Sequence, residues 1–254
     1  MRISIITVCN NSARTIRDTI ESVRRQNHDN IEYIVVDGGS TDGTLNIIEE
    51  YREFIDIFIQ GPDHGIYDAM NKGINRATGA VVGLLNSDDL YATNSVLSRV
   101  KEEFDLSSAD VVFGDLVYVK FEDTSKVVRK WKSSEYSPLA FSNGWHPPHP
   151  TCFVRNKVYK NYGVFDTGMK ISADFEIMLR FLEVNSVRSA YIPETLVLMR
   201  IGGESNKSIR NILVGNRFVY KAFRKNGVKY PWLYLPKRML AKLLQYRVEN
   251  RSPS

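Results

Sequence analysis

The chain has two cysteines, Cys9 and Cys152, in 254 residues, too few for a disulfide scaffold and in keeping with a reducing compartment. It lacks long apolar stretches: the longest runs, residues 3–8 and 80–85, are far too short to cross a bilayer. The first run follows a single basic residue and gives way at once to Cys9-Asn10-Asn11-Ser12, which is neither a signal-peptide core nor a cleavage site. A cytoplasmic protein is therefore expected. No internal repeat or low-complexity linker is present, which argues against a solenoid and against a clean two-domain split. At this length, with 43% hydrophobic and 25% charged residues, one enlarged globular domain is the expectation. Two phosphate-binding signatures are also missing. No G-x-G-x-x-G follows the first strand, and the glycines from Gly38 to Gly43 are followed by Thr44 rather than the lysine of a P-loop.

Charge is unevenly spread. The net +5 divides into about +11 over residues 206–254, which hold twelve Lys or Arg and one acid (Glu249), and about −6 over the rest. An acidic body with a basic tail leaves two readings open. The tail binds an anionic surface, lipid or nucleic acid, or it is a solvated helical face.

What is present is alternation. Residues 3–8, 31–36, 55–59, 80–85 and 110–113 read as strands, with amphipathic helices between them. Ser12, Ser172 and Thr93 stand where helix caps are expected. Residues 31–36 are apolar except for Glu32, as in a strand buried on both faces of a parallel sheet. The expected fold is an open α/β sheet, mostly parallel, flanked by helices. Residues 116–121 and 126–131 would form a hairpin or small second sheet, and a mobile loop is expected over residues 200–205. In such sheets ligands bind at the carboxyl ends of the strands. The polar clusters fall at those ends, at residues 7–10, 37–42 and 86–89.

Asn86-Ser87-Asp88-Asp89 directly follows an apolar strand. Adjacent carboxylates at a strand end repel each other and bury poorly unless a cation neutralises them, and a hard divalent ion suits oxygen ligands. The alternative is a simple turn or helix cap. In Asp37-Gly38-Gly39-Ser40-Thr41-Asp42-Gly43, glycines permit close backbone approach to a ligand, and Asp37 or Asp42 offers acceptors for a base or ribose. His146 and His149 sit among three prolines with no third ligand nearby, which favours a rigid loop over a metal site.

Five stretches taken together resemble the family 2 glycosyltransferases of the GT-A fold, of the bacterial surface-polysaccharide type. They are Ser4-Ile-Ile-Thr7-Val-Cys-Asn10, Val35-Val-Asp37-Gly-Gly-Ser-Thr-Asp42-Gly-Thr, Gly65-Ile-Tyr-Asp68-Ala-Met-Asn71-Lys72-Gly, Leu84-Leu-Asn-Ser-Asp88-Asp89 and Ser172-Ala-Asp174-Phe-Glu-Ile-Met-Leu-Arg180. The match runs over about residues 2–205 in the family's order. The resemblance implies a nucleotide site at Thr7, Asn10, Asp37, Gly39, Asn71, Lys72 and Asp88. It also implies Asp89 as ligand of a Mn²⁺ or Mg²⁺ cofactor and Asp174 as the catalytic base. His149 and Trp145 would lie on the acceptor side, and Arg200 in a loop over the diphosphate. Gly38 departs from relatives that carry a second acid there, and Ala173 from those with Glu before the base. The Gln-x-x-Arg-Trp motif of processive synthases is absent, which points to transfer of a single sugar.

The expected activity is metal-dependent, inverting transfer of one sugar from a nucleotide-sugar, UDP-linked by preference, to a hydroxyl of a lipid-linked or cell-surface glycan. Alternatives are a sugar nucleotidyltransferase and a nucleic-acid-binding module. The first predicts a Gly-rich basic loop after strand one, and the second a basic body; neither is present, and no nucleic-acid partner is expected. The domain plan is a catalytic domain over residues 1–205, divided into a nucleotide-binding half (1–115) and an acceptor-binding half (116–205), then a basic extension (206–254). The extension's aromatic and cationic residues suit the inner face of the membrane or packing on the body or a second subunit.

Overall fold

The computed structural model describes residues 1–201 and 209–238. The expected loop beyond Ile201 and the tail beyond Arg238 lie outside the described residues. One sheet organises the chain, in the order Ile57–Gln60 (β3), Ile31–Asp37 (β2), Ile3–Cys9 (β1), Val81–Leu84 (β4), Phe153–Arg155 (β8), Val111–Val119 (β6), Ser189–Arg200 (β9) and Asp89–Tyr91 (β5), with Val127–Trp131 (β7) beside β6. The parallel part comprises β1 (Ile3–Cys9), β2 (Ile31–Asp37), β3 (Ile57–Gln60) and β4 (Val81–Leu84). Helices α1 (Ile16–Arg24), α2 (Thr44–Glu50) and α3 (Ile66–Arg76) connect these strands.

Alternate residues of β1 and β2 feed two apolar layers. Ile6, Val8, Ile34 and Val36 pack with Ala69, Met70 and Ile74 of α3, whereas Ile3, Ile5, Tyr33 and Val35 pack with Ile16, Ile20 and Val23 of α1. Covering both faces explains why these strands are apolar throughout. Burial of each such side chain contributes roughly 1.5–3 kcal/mol.

The second half joins the same sheet. Strand β5 (Asp89–Tyr91) leads to α4 (Val96–Leu106) and the long β6 (Val111–Val119), on which β7 (Val127–Trp131) folds back as the expected hairpin. The hairpin is thus continuous with the main sheet rather than a separate second one. Strand β8 (Phe153–Arg155) runs antiparallel to β4 and β6, and α5 (Asn156–Tyr162) follows it. The two strands expected near residues 190 and 195–199 are one, β9 (Ser189–Arg200), with register shifts opposite Gly114–Leu116.

Helix α6 (Ala173–Met178) continues as a π-helical segment, Leu179–Val184. Widened helical turns of this kind often accompany functional sites. Helix α7 (Ile209–Lys225) packs against α6. Val219, Ala222, Phe223 and Tyr234 are fully buried in the same apolar layer as Phe175, so this part of the basic segment belongs to the body's core. Phe175 meets Phe223 at 5.6 Å and Tyr234 at 6.2 Å between ring centroids. Fully buried Glu176 completes the joint, accepting from Arg180 of its own helix and from Asn226, with the Lys225 ammonium 3.5 Å away.

Candidate active site

Parallel register brings the polar loops to one edge of the sheet. Cys9, Asp37 and Gln60 lie in a row, and backbone bonds from Gly38 to Cys9 and from Gly61 to Asp37 carry that row one residue further. The loop after β4 emerges beside them, and a 2.8 Å contact between the hydroxyls of Ser12 and Ser87 ties it to the loop after β1.

The first wall is the loop after β2. Asp37 is fully buried, and both its oxygens serve the loop itself, accepting from the Gly39 and Ser40 amides at 3.0 Å and from the Ser40 hydroxyl. This is an Asx-type turn, and Gly39, with φ +92°, supplies the left-handed residue it needs. Asp42 is also spent, on Ala13 and Thr44. Thr7 is fully buried and its hydroxyl accepts from Tyr33 at 3.0 Å, so its side chain faces the interior. Asn10 stays at the surface and donates to the Gly38 carbonyl at 2.9 Å. Cys9 contacts Asp37, and burial among carboxylates pushes its thiol well up, so it stays protonated and unreactive.

At the end of β4, Asp89 is fully buried. Its Oδ2 accepts from Asn86 at 3.1 Å, whereas its Oδ1 and the Asn86 Oδ1 have no partner among the described residues. Asp88, by contrast, is partly exposed. Burial raises both carboxyls above the ordinary range, and the Asp88 charge pushes Asp89 up further. A buried acid with an orphaned acceptor oxygen, beside a second, partly exposed acid, fits a hard cation. Among the described residues no group of three or more His, Cys, Asp or Glu is arranged around a metal position, so a cation here would draw its other ligands from water or phosphate.

Arg200 is 5% exposed and engaged beneath this loop. It donates to the Asp88 carbonyl and the Phe121 carbonyl, both at 3.1 Å, and to Asp18. That geometry makes it a clamp on the acidic loop rather than an arm over the diphosphate. Asn71, expected beside the nucleotide, forms a reciprocal pair of 2.9 Å bonds with the Phe165 backbone and so ties α3 to the second half. Lys72 donates to the Pro62 carbonyl at 2.8 Å and pairs with Asp68 at 3.2 Å, bracing the loop before α3.

The third wall gathers around Asp174, on the first turn of α6. Ser172, just before it, holds a left-handed φ of +66° without a glycine, a strained conformation of the kind found at functional sites. Its hydroxyl makes no capping bond. Tyr67 of α3 donates to Asp174 Oδ1 at 3.3 Å and stacks on Phe165 at 5.4 Å. His149 meets the other side of that arrangement, edge-on to Phe165 at 5.4 Å. Burial lowers the pKa of His149 despite the opposing pull of Asp174, which favours a neutral ring. The same burial and the Asp174 charge keep Tyr67 protonated and able to donate. Trp145 lies against Phe113, Phe141 and Tyr136, and its indole N–H has no partner among the described residues.

Sequence reasoning passed over Tyr67 although it lies within the Gly65–Gly73 stretch. Its only signal was position, at the first turn of a helix entering from the ligand edge. Cys152 is buried near Asp174 and its thiol is likewise pushed up.

Comparison with known proteins agrees with this geometry. A PGL/p-HBAD biosynthesis glycosyltransferase of Mycobacterium bovis is 27% identical over 208 residues, 80% of this chain and 78% of that protein. An uncharacterized glycosyltransferase of Rickettsia typhi is 29% identical over 238 residues, 89% and 73% of the two chains. The fold is shared with residues 1–349 of S. aureus TarS in complex with UDP-GlcNAc, at a TM-score of 0.70 and 18% identity, covering 98% of this chain and 74% of that one. It is shared also with the mannosyltransferase PcManGT of Pyrobaculum calidifontis in complex with GDP-Man and Mn²⁺, at a TM-score of 0.62 and 17% identity, covering 99% and 76%. The readings as a nucleotidyltransferase or a nucleic-acid module give way here, for residues 4–163 match the model of Glycosyl transferase family 2, and the chain belongs to that family.

Proposed function

We propose that the protein is a metal-dependent inverting glycosyltransferase that moves a single sugar from a UDP-sugar to a hydroxyl of a glycan acceptor. The observation that carries this reading is the Asp88–Asp89 pair after β4, in which Asp89 is fully buried and keeps an orphaned oxygen. Residues 1–115 would hold the nucleotide and residues 116–205 the acceptor.

Asp88 and Asp89 would hold the divalent ion, Mn²⁺ or Mg²⁺, which supplies charge stabilisation to the departing diphosphate. Within the nucleotide half, the nucleoside would lie on the Gly38–Gly39 turn, which Asn10 braces through the Gly38 carbonyl, while Thr7 and Asp37 shape the loop from inside. Asp174 would accept the proton of the acceptor hydroxyl as its oxygen bonds to the anomeric carbon and the bond to the diphosphate breaks, inverting that centre. Tyr67 holds the carboxylate in place and neutral His149 lines its pocket, while Trp145 would shape the acceptor side with its ring.

A lipid-linked acceptor is supported by the surface after α7. Trp232 is 86% exposed and is followed by exposed Leu233 and Leu235, with exposed Lys229 and Lys237 on either side. Such a mixture suits the headgroup region of an anionic bilayer. No described helix is long and apolar enough to cross a membrane.

The test is UDP release from a panel of UDP-sugars, with and without glycolipid acceptor and with Mn²⁺, Mg²⁺ or EDTA. Acceptor-stimulated release that EDTA abolishes is expected. Equal release with EDTA would sink the metal-dependent reading. Tyr67→Phe should lower kcat roughly two- to tenfold, the worth of one neutral hydrogen bond, and leave the donor KM unchanged. A raised donor KM with unaltered kcat would remove Tyr67 from the base.

A further inference from the structure

Carboxylates crowd the edge where β1, β2 and β3 end, yet most of their oxygens are committed. Asp37 and Asp42 have both oxygens occupied by loop donors. Asp68 accepts from the His64 amide and pairs with Lys72. Like Asp68, whose Oδ1 meets no donor among the described residues, Asp63 in the loop between β3 and α3 is only half committed. Its Oδ1 accepts from the Gly65 amide at 2.9 Å, and no donor among the described residues meets its Oδ2.

That free oxygen lies over Gly38. A Cβ built on Gly38 would fall 2.2 Å from Asp63 Oδ2 and 3.1 Å from the Asn10 amide nitrogen. The backbone at Gly38 is not left-handed, unlike that at Gly39. A Cβ at 38 would push the Asp63 carboxylate aside, so glycine there leaves room for that carboxylate and is not called for by the turn. The Lys72 bond to the Pro62 carbonyl holds the loop that delivers it.

We infer that Asp63 reads the nucleotide base, accepting a single hydrogen bond from a base edge lying on the Gly38–Gly39 turn. One unspent oxygen accommodates a base with one edge donor group, and uracil, the base of the proposed donor, presents the imide N3–H. Guanine presents an N1–H and an amino group side by side and calls for both oxygens of an acid. The inference rests on the UDP-sugar reading above and names the residue that recognises its base.

Isothermal titration with UDP, GDP and N3-methyl-UDP, in Mn²⁺, on wild type, Asp63→Ala and Gly38→Ala tests it. For wild type, N3-methylation should weaken binding about tenfold or more, the scale of a hydrogen bond to a charged group. Asp63→Ala should lose a similar factor for UDP and show no further loss on methylation. Gly38→Ala, which displaces the carboxylate, should behave in the same direction. Thermal melts confirm that each variant is folded. UDP binding by wild type and Asp63→Ala alike, or a methylation penalty that persists in Asp63→Ala, overturns the role of Asp63 and leaves the transferase reading standing. Failure of wild type to bind any nucleotide overturns both.

Discussion

Asp174→Asn should abolish sugar transfer while UDP still binds. Loss of a general base costs about 10²- to 10⁴-fold in turnover. The substitution keeps the side chain's size and an oxygen to accept from Tyr67, which lies 3.3 Å away, so the local packing is retained. Asp174 is also remote in function from the nucleotide walls built by the loops after β1, β2 and β4. The loss should therefore appear in kcat, with UDP affinity changed by no more than about twofold. Initial-rate UDP release and titration calorimetry on the same preparation separate the two. Turnover above a tenth of wild type would remove Asp174 from the reaction. Strain at Ser172 gives a second handle, since Ser172→Gly relieves the left-handed φ and should alter kcat more than donor affinity.

Metal-free Asp89→Asn should be more heat-stable than metal-free wild type at neutral and alkaline pH, and the order should reverse with Mn²⁺ and UDP. The reason is the direction in which the two carboxyls move. In the unfolded chain both acids ionise near the ordinary value of about 4. Burial and mutual repulsion raise both in the folded state. As pH climbs above about 4 the folded form therefore retains protons that the unfolded form has released, and stability falls until the folded values are passed. A tenfold difference in proton affinity between the two states is worth about 1.4 kcal/mol, and each kcal/mol moves the melting point of a chain this size by about 2–4 °C. Asp89→Asn removes one charge and provides an amide donor for the orphaned Asn86 Oδ1. Melting curves from pH 4 to 9 should show wild type losing ground to the variant as pH rises. With Mn²⁺ and UDP the wild type alone should recover, because a ligand present at about 100 times its Kd adds roughly 2.7 kcal/mol. Parallel pH profiles for the two proteins would show that no strained acid pair exists.

The parallel half of the sheet was legible because its signal is local. Residues 3–8, 31–36 and 80–85 are apolar on both faces, and a strand covered by helices on both sides must be. The acidic and glycine-rich clusters were found at strand ends because a turn has to follow each strand. The antiparallel half was harder. Asp89–Tyr91 is only three residues long, and it is a strand by virtue of pairing with β9, more than a hundred residues later. β9 looked like two strands because register shifts opposite Gly114–Leu116 interrupt its alternation.

Partner choice was not legible at all. Asp37, Asn71 and Arg200 have the residue types that bind nucleotides, yet the fold commits their polar atoms to a turn, to Phe165 and to the loop of Asp88. Arg200 meets Asp18 across 182 positions of sequence, and Tyr67 meets Asp174 across 107. The same holds for α7, where the basic stripe was plain but the burial of Val219, Phe223 and Tyr234 depended on α6 being there to receive them. Composition and pattern by themselves determined an α/β sheet and the polar and acidic clusters at its strand ends, since periodicity and turn chemistry act between near neighbours. Which carboxylates are spent, as Asp37 and Asp42 are, and which keep an oxygen without a partner among the described residues, as Asp89 does, was decided only by the tertiary structure, because an acid's availability depends on donors that distant segments bring within hydrogen-bonding reach of it.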